Sequence, residues 1–81
     1  MARFHFHLHE HGVCTRDDEG AEHVDLDAAR AVAIATAREI MCEGLKTGAL
    51  SLDCYIDIAD DNAQVLTRVE FADAVTVADD S

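Results

Sequence analysis

Apolar residues along this chain recur with two different periods, and the changes between them mark out its elements. In "RFHFHLHEH" Phe4, Phe6 and Leu8 alternate with His5, His7 and His9, the period-two pattern of a strand buried on one face. The spacing predicts a strand over about 2–9 whose other face carries the histidines. Gly12 marks a turn, and "VCTRD" returns as a second strand over about 13–17, making an N-terminal hairpin that ends at "DDEG". "AEHV" follows as a short acidic connection without a pattern of its own.

In "DLDAARAVAIATAREIMCEGLK" the period becomes helical. Leu26, Ala29, Ala33, Ala37, Ile40, Met41 and Gly44 share one side of a helix over about 26–46. Asp25 is placed to cap its first turn, Asp27 opposes the helix dipole, and Gly48 is a natural stop. The alanine-rich stripe lets the helix sit close to a sheet. Arg30, at the edge of that stripe, can pack its stem and reach an acid such as Asp17, Asp18 or Glu19.

Period two then resumes. Over about 52–58, Leu52, Cys54, Ile56 and Ile58 face one way and Asp53, Tyr55 and Asp57 the other. "ADDNA" is a polar turn. Over about 64–71, Val65, Thr67, Val69 and Phe71 oppose Leu66, Arg68 and Glu70. The acidic tail, 75–81, is expected to fray. The order ββαββ describes a single two-layer α+β domain over 1–81, a four-stranded, mainly antiparallel sheet with one helix on one face. The second face has no cover and carries His5, His7 and His9, with Asp53, Tyr55 and Asp57 beside them.

Composition adds a constraint. A chain of 81 residues buries a small fraction of its unfolded surface, and with four aromatic residues and many alanines its core is built from small pieces. A homodimer, joined through the sheet face or a sheet edge, is therefore expected. The net charge of -11 repels phosphate backbones and anionic lipid, which argues against nucleic-acid and membrane partners. No apolar run approaches a membrane span, and the basic-then-apolar layout of a signal peptide is missing from the N-terminus, so a cytoplasmic location is expected. Cys14, Cys42 and Cys54 form no CxxC pair and fit reduced thiols that fill small spaces.

Three stretches taken together, "RFHFHLHEHG", "DDEGAEHVDLDAARAVA" and "VLTRVEFADAV", resemble a family of short alphaproteobacterial proteins described as a domain of unknown function. Members open on an aromatic first strand, pass through a D-x-E-G turn into an acid-capped "DLxAARAxA" helix, and close on a strand ending "FADA". Here these features fall on Asp17, Glu19 and Gly20, on Asp25, Leu26, Ala28, Ala29 and Arg30, and on Phe71 to Ala74. The resemblance implies a shared fold and no particular activity. This chain departs from it at His23 and Val24, where an apolar residue and proline usually precede the cap, and at Ala63, where glycine often closes the last hairpin. His5, His9 and His11 also exceed the histidine content expected of the family.

Candidate chemistry centres on the histidine stripe. Residues two apart on a strand project the same way about 6.5–7 Å apart, so His5 with His7, or His7 with His9, can share one Zn²⁺. Asp57 or Asp53, or the same strand of a second subunit, could add a ligand. Histidines among so many acids could also act as a pH switch, although the sequence shows no bistable element for them to bias. "DIADDNA" and "RDDEGAE" do not fit a calcium-binding loop and read as solvated turns. No nucleophile elbow or phosphate-cradling glycine loop occurs, although Cys14 could lie near the histidine strand. The expected function is a non-enzymatic binding or interaction module, a dimer that requires no cofactor and binds either a protein partner or a metal through its uncovered sheet face or a sheet edge. Zinc or another transition metal bound by His5, His7 and His9, with Asp57 assisting, is the alternative.

Overall fold

A computed structural model describes residues 1–76. Its elements are β1 (Ala2–Glu10), β2 (Val13–Thr15), β3 (Ala21–His23), α1 (Leu26–Lys46), β4 (Tyr55–Ala59), β5 (Val65–Glu70) and α2 (Phe71–Ala74). The fold is α+β, with an antiparallel sheet and one long helix. The sheet holds five strands, one more than the alternation predicted. In it β2, β1, β4 and β5 lie side by side, and β3 pairs with β1 at the opposite end from β2. With three residues, β3 is too short to show a period.

Both hairpin turns rest on left-handed residues. His11 (φ 47°) and Gly12 (φ 81°) bridge the Glu10–Val13 pair, a two-residue turn whose twist matches the strands it joins. Asp60 begins the β4–β5 turn. Its Oδ1 accepts the Asn62 and Gln64 N–H groups at 2.9 and 3.0 Å, and Ala63 closes the turn at φ 64°. A bulge follows, so Val65 stands opposite Ala59 and is 52 % exposed instead of joining the core.

The helix runs Leu26–Lys46. The Asp25 carboxylate accepts the Ala28 N–H at 2.8 Å. Gly48 (φ 85°) ends it while Ala49 and Gly48 donate to the carbonyls of Gly44 and Leu45, the paired bonds of a glycine-terminated helix. Ala29, Ala33, Ala37 and Met41 are buried against Phe4, Cys54, Ile56, Ile58, Val69 and Phe71. Arg30 is exposed and pairs with no acid among the described residues; Arg3 reaches the Glu19 carbonyl instead, at 2.7 Å.

Element ends differ from the periodicity for local reasons. β2 stops at Thr15, because Asp17 turns back to bond β1 through its side chain. β4 starts at Tyr55, opposite His9, because β1 turns away at His11, and just before it the Cys54 carbonyl accepts the Phe71 N–H at 3.0 Å. Leu52 is 36 % exposed. "FADA" forms a single helical turn, not a strand end: Phe71 and Ala74 both face the core at helical spacing, and the Arg38 Nε donates to the Ala74 carbonyl at 2.7 Å. Most of the tail expected to fray, residues 77–81, lies outside the described residues.

Candidate functional site

α1 covers one side of the sheet and leaves the other open. Strand register puts His5, His7 and His9 on the open side, opposite Ala59, Asp57 and Tyr55, and sets Arg68 beside Asp57 and Glu70 beside Tyr55. The three histidines come from alternation on β1, as the sequence predicts.

At one end of this face the central group is Asp57. Although the face is open, Asp57 is 6 % exposed, because its neighbours close over it. Arg68 Nε donates to its Oδ1 at 2.8 Å, and His9 Nε2 lies 3.3 Å from its Oδ2. Tyr55 packs against both partners: the His9 ring stacks on it with centroids 4.5 Å apart and the Arg68 guanidinium carbon lies 3.9 Å from its centroid. The result is a flat layer of rings whose polar atoms are already bonded to one another. Cys14 Sγ approaches His9 Nε2 to 3.7 Å, the same ring nitrogen that faces Asp57. A nucleophile–base–carboxylate relay needs both ring nitrogens, so these contacts do not form one.

At the other end, His5 and His7 stack at 6.3 Å. His5 Nδ1 meets the Asp17 carbonyl at 2.8 Å and its Nε2 meets Asp61 Oδ1 at 2.9 Å. Two acceptors facing one ring favour the imidazolium, and the Asp61 bond, followed by the Asp17 carbonyl, raises the His5 pKa. His7 differs. Its Nδ1 accepts the Asp17 N–H at 3.1 Å and must be unprotonated, and burial, with the positive charge of Arg16, lowers its pKa. A shallow cleft of about 120 Å³ opens beside these two rings, between Arg16–Asp18 and the Asp60–Ala63 turn.

Asp17 anchors that end. Its Oδ2 accepts the Phe6 N–H and its Oδ1 the Gly20 N–H, each at 3.1 Å. Phe6 lies on the stretch of β1 between the residues paired by β2 and by β3, so the carboxylate serves where a neighbouring strand is missing. Burial pushes the Asp17 pKa up, but the two N–H donors outweigh it and hold the carboxyl below its usual range. Gly20 (φ 71°) completes the turn. A Cβ there would lie 2.9 Å from the Phe4 carbonyl oxygen and from His5 Cε1, which gives the D-x-E-G sequence a packing reason.

Of the sequence-predicted ligands, His9 and Asp57 are brought into contact, while His5 and His7 bond to the 17–20 turn and to Asp61. Asp53 lies at the start of the β4 segment, beside His11, with Nδ1 to Oδ2 4.0 Å. Sequence reasoning missed Asp17, Arg68 and Asp61 as members of this face. Arg68 was foreseeable, since it alternates onto the same side as Asp57, whereas Asp17 acts through a turn that no period reveals.

No helix among the described residues is long and apolar enough to cross a membrane. Comparison with curated proteins and with solved structures returns no match. Residues 3–72 match one family over most of the chain, and the protein belongs to it: Domain of unknown function (DUF6894).

Proposed function

We propose that this domain is a non-enzymatic interaction module that self-associates through its open sheet face. The observation that carries the reading is the contrast between that face and the rest of the chain. The chain has a net charge of -11, yet the open face presents three histidines, Tyr55, the mutually paired Arg68 and Asp57, and Glu70. For a second acidic copy, the end of this face built from His9, Tyr55 and Arg68 sets basic and aromatic groups beside its acids, which lessens repulsion. Tyrosine and arginine are also favoured at protein interfaces, and side chains already locked by stacking lose little freedom on binding.

A two-fold arrangement suits the same surface. Arg68 retains half of its exposure beside its bond to Asp57, and Glu70 lies one pleat along the same strand, so reciprocal pairing across an axis needs no charge from elsewhere. Exposed Val65 and Leu66 at the edge of the sheet would add apolar area. The alternative, zinc on His5, His7 and His9 with Asp57, is favoured by the His9–Asp57 approach alone, and it requires His5 and His7 to release bonds they already make.

Light scattering on the purified chain tests the proposal. A mass near twice 8.8 kDa is expected, falling to that of one chain when Leu66→Asp or Arg68→Glu is introduced. A single-chain mass at high micromolar concentration, with the fold intact by circular dichroism, overturns it.

A further inference from the structure

Away from the open face, at the end of the sheet where β1 turns into β2, three side chains of different chemistry converge. His11, Asp53 and Cys54 each offer one donor atom, and the three atoms lie within 4.8 Å of one another. We propose that they form a binding site for a divalent transition metal of the zinc class, with a fourth position open to water. Nothing in this inference depends on the dimer.

The donor spacing fits after a small contraction. With metal–sulfur bonds of about 2.3 Å and metal–nitrogen or metal–oxygen bonds of about 2.0–2.2 Å, tetrahedral ligands stand roughly 3.3–3.7 Å apart. Here His11 Nδ1 lies 4.0 Å from one Asp53 oxygen and Cys54 Sγ 4.0 Å from the other, and with one donor atom from each residue the set spans no more than 4.8 Å. Closing these gaps takes side-chain rotation without backbone movement, since the His11 and Asp53 side chains are 62 % and 76 % exposed. Cys54 is the fixed member, buried in the core at 2 % exposure.

Surrounding groups are arranged as a metal ligand set needs. His11 Nε2 meets Ser51 Oγ at 3.1 Å. When that nitrogen carries the ring proton and donates it, Nδ1 keeps a free lone pair on the side of Asp53 and Cys54, the outer-shell orientation common to metal-bound histidine. Burial, with Asp53 and Glu10 beside it, pushes the Cys54 thiol above its ordinary range, against a backbone hydrogen bond from the His11 N–H, so the free site keeps the thiol protonated and a bound cation has to displace that proton. Asp53 and Glu10, the carboxylates nearest that sulfur, form no ion pair with lysine or arginine among the described residues, so the locality holds uncompensated negative charge. A nitrogen, oxygen and sulfur donor set selects zinc-like ions over calcium or magnesium.

Cobalt(II) titrated into the reduced, chelator-treated full chain tests the site. One equivalent should bind, with a sulfur-to-cobalt charge-transfer band in the near ultraviolet, and Zn²⁺ should displace it. Cys54→Ser should remove the band, while Cys14→Ser, Cys42→Ser and His7→Gln should keep it. Should Cys54→Ser fail to fold, His11→Asn and Asp53→Asn carry the test. Both sites are exposed and asparagine accepts the left-handed backbone at position 11; each should weaken binding by about tenfold or more. The proposal is overturned by no binding at millimolar Co²⁺, by a band that follows Cys14 or Cys42, or by His11→Asn and Asp53→Asn without effect. Binding lost on His7→Gln would move the metal to the histidine stripe and equally overturn it.

Discussion

His5 and His7 meet opposite backbone groups of one residue, Asp17, and are shifted in opposite directions, His5 upward by Asp61 and then the Asp17 carbonyl, His7 downward by burial and then Arg16. The Asp17 carbonyl receives His5 Nδ1 at 2.8 Å, while the N–H of the same residue donates to His7 Nδ1 at 3.1 Å. Two stacked rings, one pleat apart on β1, therefore titrate on either side of the ordinary histidine value of about 6.5. Nitrogen NMR of the imidazoles should find His5 still protonated above that pH, and His7 still neutral below it with its proton on Nε2. The reverse order would refute the hydrogen-bond assignment.

The same pair fixes a sign for stability against pH. His5 binds its proton more tightly in the folded chain, so its contribution is complete below about pH 6.5 and is lost as pH rises through its raised folded value. His7 acts oppositely: from about pH 6.5 down to its lowered folded value the unfolded chain takes the proton more readily, and stability falls with pH. Asp61→Asn removes the largest cause of the His5 shift. Denaturant titrations from pH 5 to 8 should show this variant losing most relative to the parent at the acid end. Equal losses at both ends would show that Asp61 does not hold the proton on His5.

Asp17 and Gly20 should be among the least replaceable polar and small residues. Asp17→Ala leaves the Phe6 and Gly20 N–H groups without their carboxylate, a loss of about 2–4 kcal/mol for two bonds to a charged acceptor. Gly20→Ala meets both a left-handed backbone and a Cβ contact of 2.9 Å with a carbonyl oxygen, and should lose about 2 kcal/mol or more. Urea midpoints measure both. A Gly20→Ala protein as stable as the parent would rule out the tight approach of this turn to β1.

The fold was legible wherever a period ran long enough to be counted. Leu26 to Met41 on the helix and Phe4 to Leu8 on β1 needed nothing but spacing, and Asp25 capped the helix where its side chain predicted. What escaped were features set by single contacts. β3 is three residues of "AEH" held by pairing with β1, Val65 is turned out by a bulge, and Phe71–Ala74 coil because two apolar residues three apart both reach the core. The open face was legible as a stripe of histidines, but the division of labour within it was not. That His5 and His7 face the 17–20 turn while His9 faces Asp57 depends on neighbours that only the tertiary fold brings close.

Ala63 and His23 each carry a local cost, and replacing them should stabilise the chain. Ala63 sits at φ 64°, where a Cβ costs about 1–2 kcal/mol, partly offset by the greater entropy glycine gives the unfolded chain. Ala63→Gly should therefore gain about 0.5–1 kcal/mol, or several degrees in Tm for a chain of this size. His23 packs its ring against Phe4 and Phe6, centroids 6.3 and 5.7 Å away, with Nε2 buried and lacking a hydrogen-bond partner among the described residues. His23→Leu should gain about 1 kcal/mol by removing that unpaired group. Thermal melts of the two variants and of the double variant should show additive gains, since His23 packs on Phe4 and Phe6 while Ala63 lies in the β4–β5 turn. A loss at either position would mean that the strain is compensated elsewhere.

Arg68 offers the sharpest test of whether the open face is a built surface or merely a wet one. Its Nε bonds Asp57 and its guanidinium lies on Tyr55, so a lysine, with one point charge and no plane, cannot replace both contacts. Arg68→Ala leaves Asp57, 6 % exposed, with His9 alone among the described residues to offset its charge. Because Arg68 itself is half-exposed, solvent screening keeps the loss well below that of a fully buried pair. Arg68→Lys should recover less than half of it. Adding Asp57→Asn to Arg68→Ala should then restore part of the stability, because the neutral amide no longer needs a counter-charge. Urea denaturation of the parent, Arg68→Ala, Asp57→Asn and the double variant completes a double-mutant cycle whose coupling energy reports the pair directly. Coupling near zero would mean that the Arg68–Asp57 contact is a solvated surface pair, and that the face owes its flatness to the stacked rings alone.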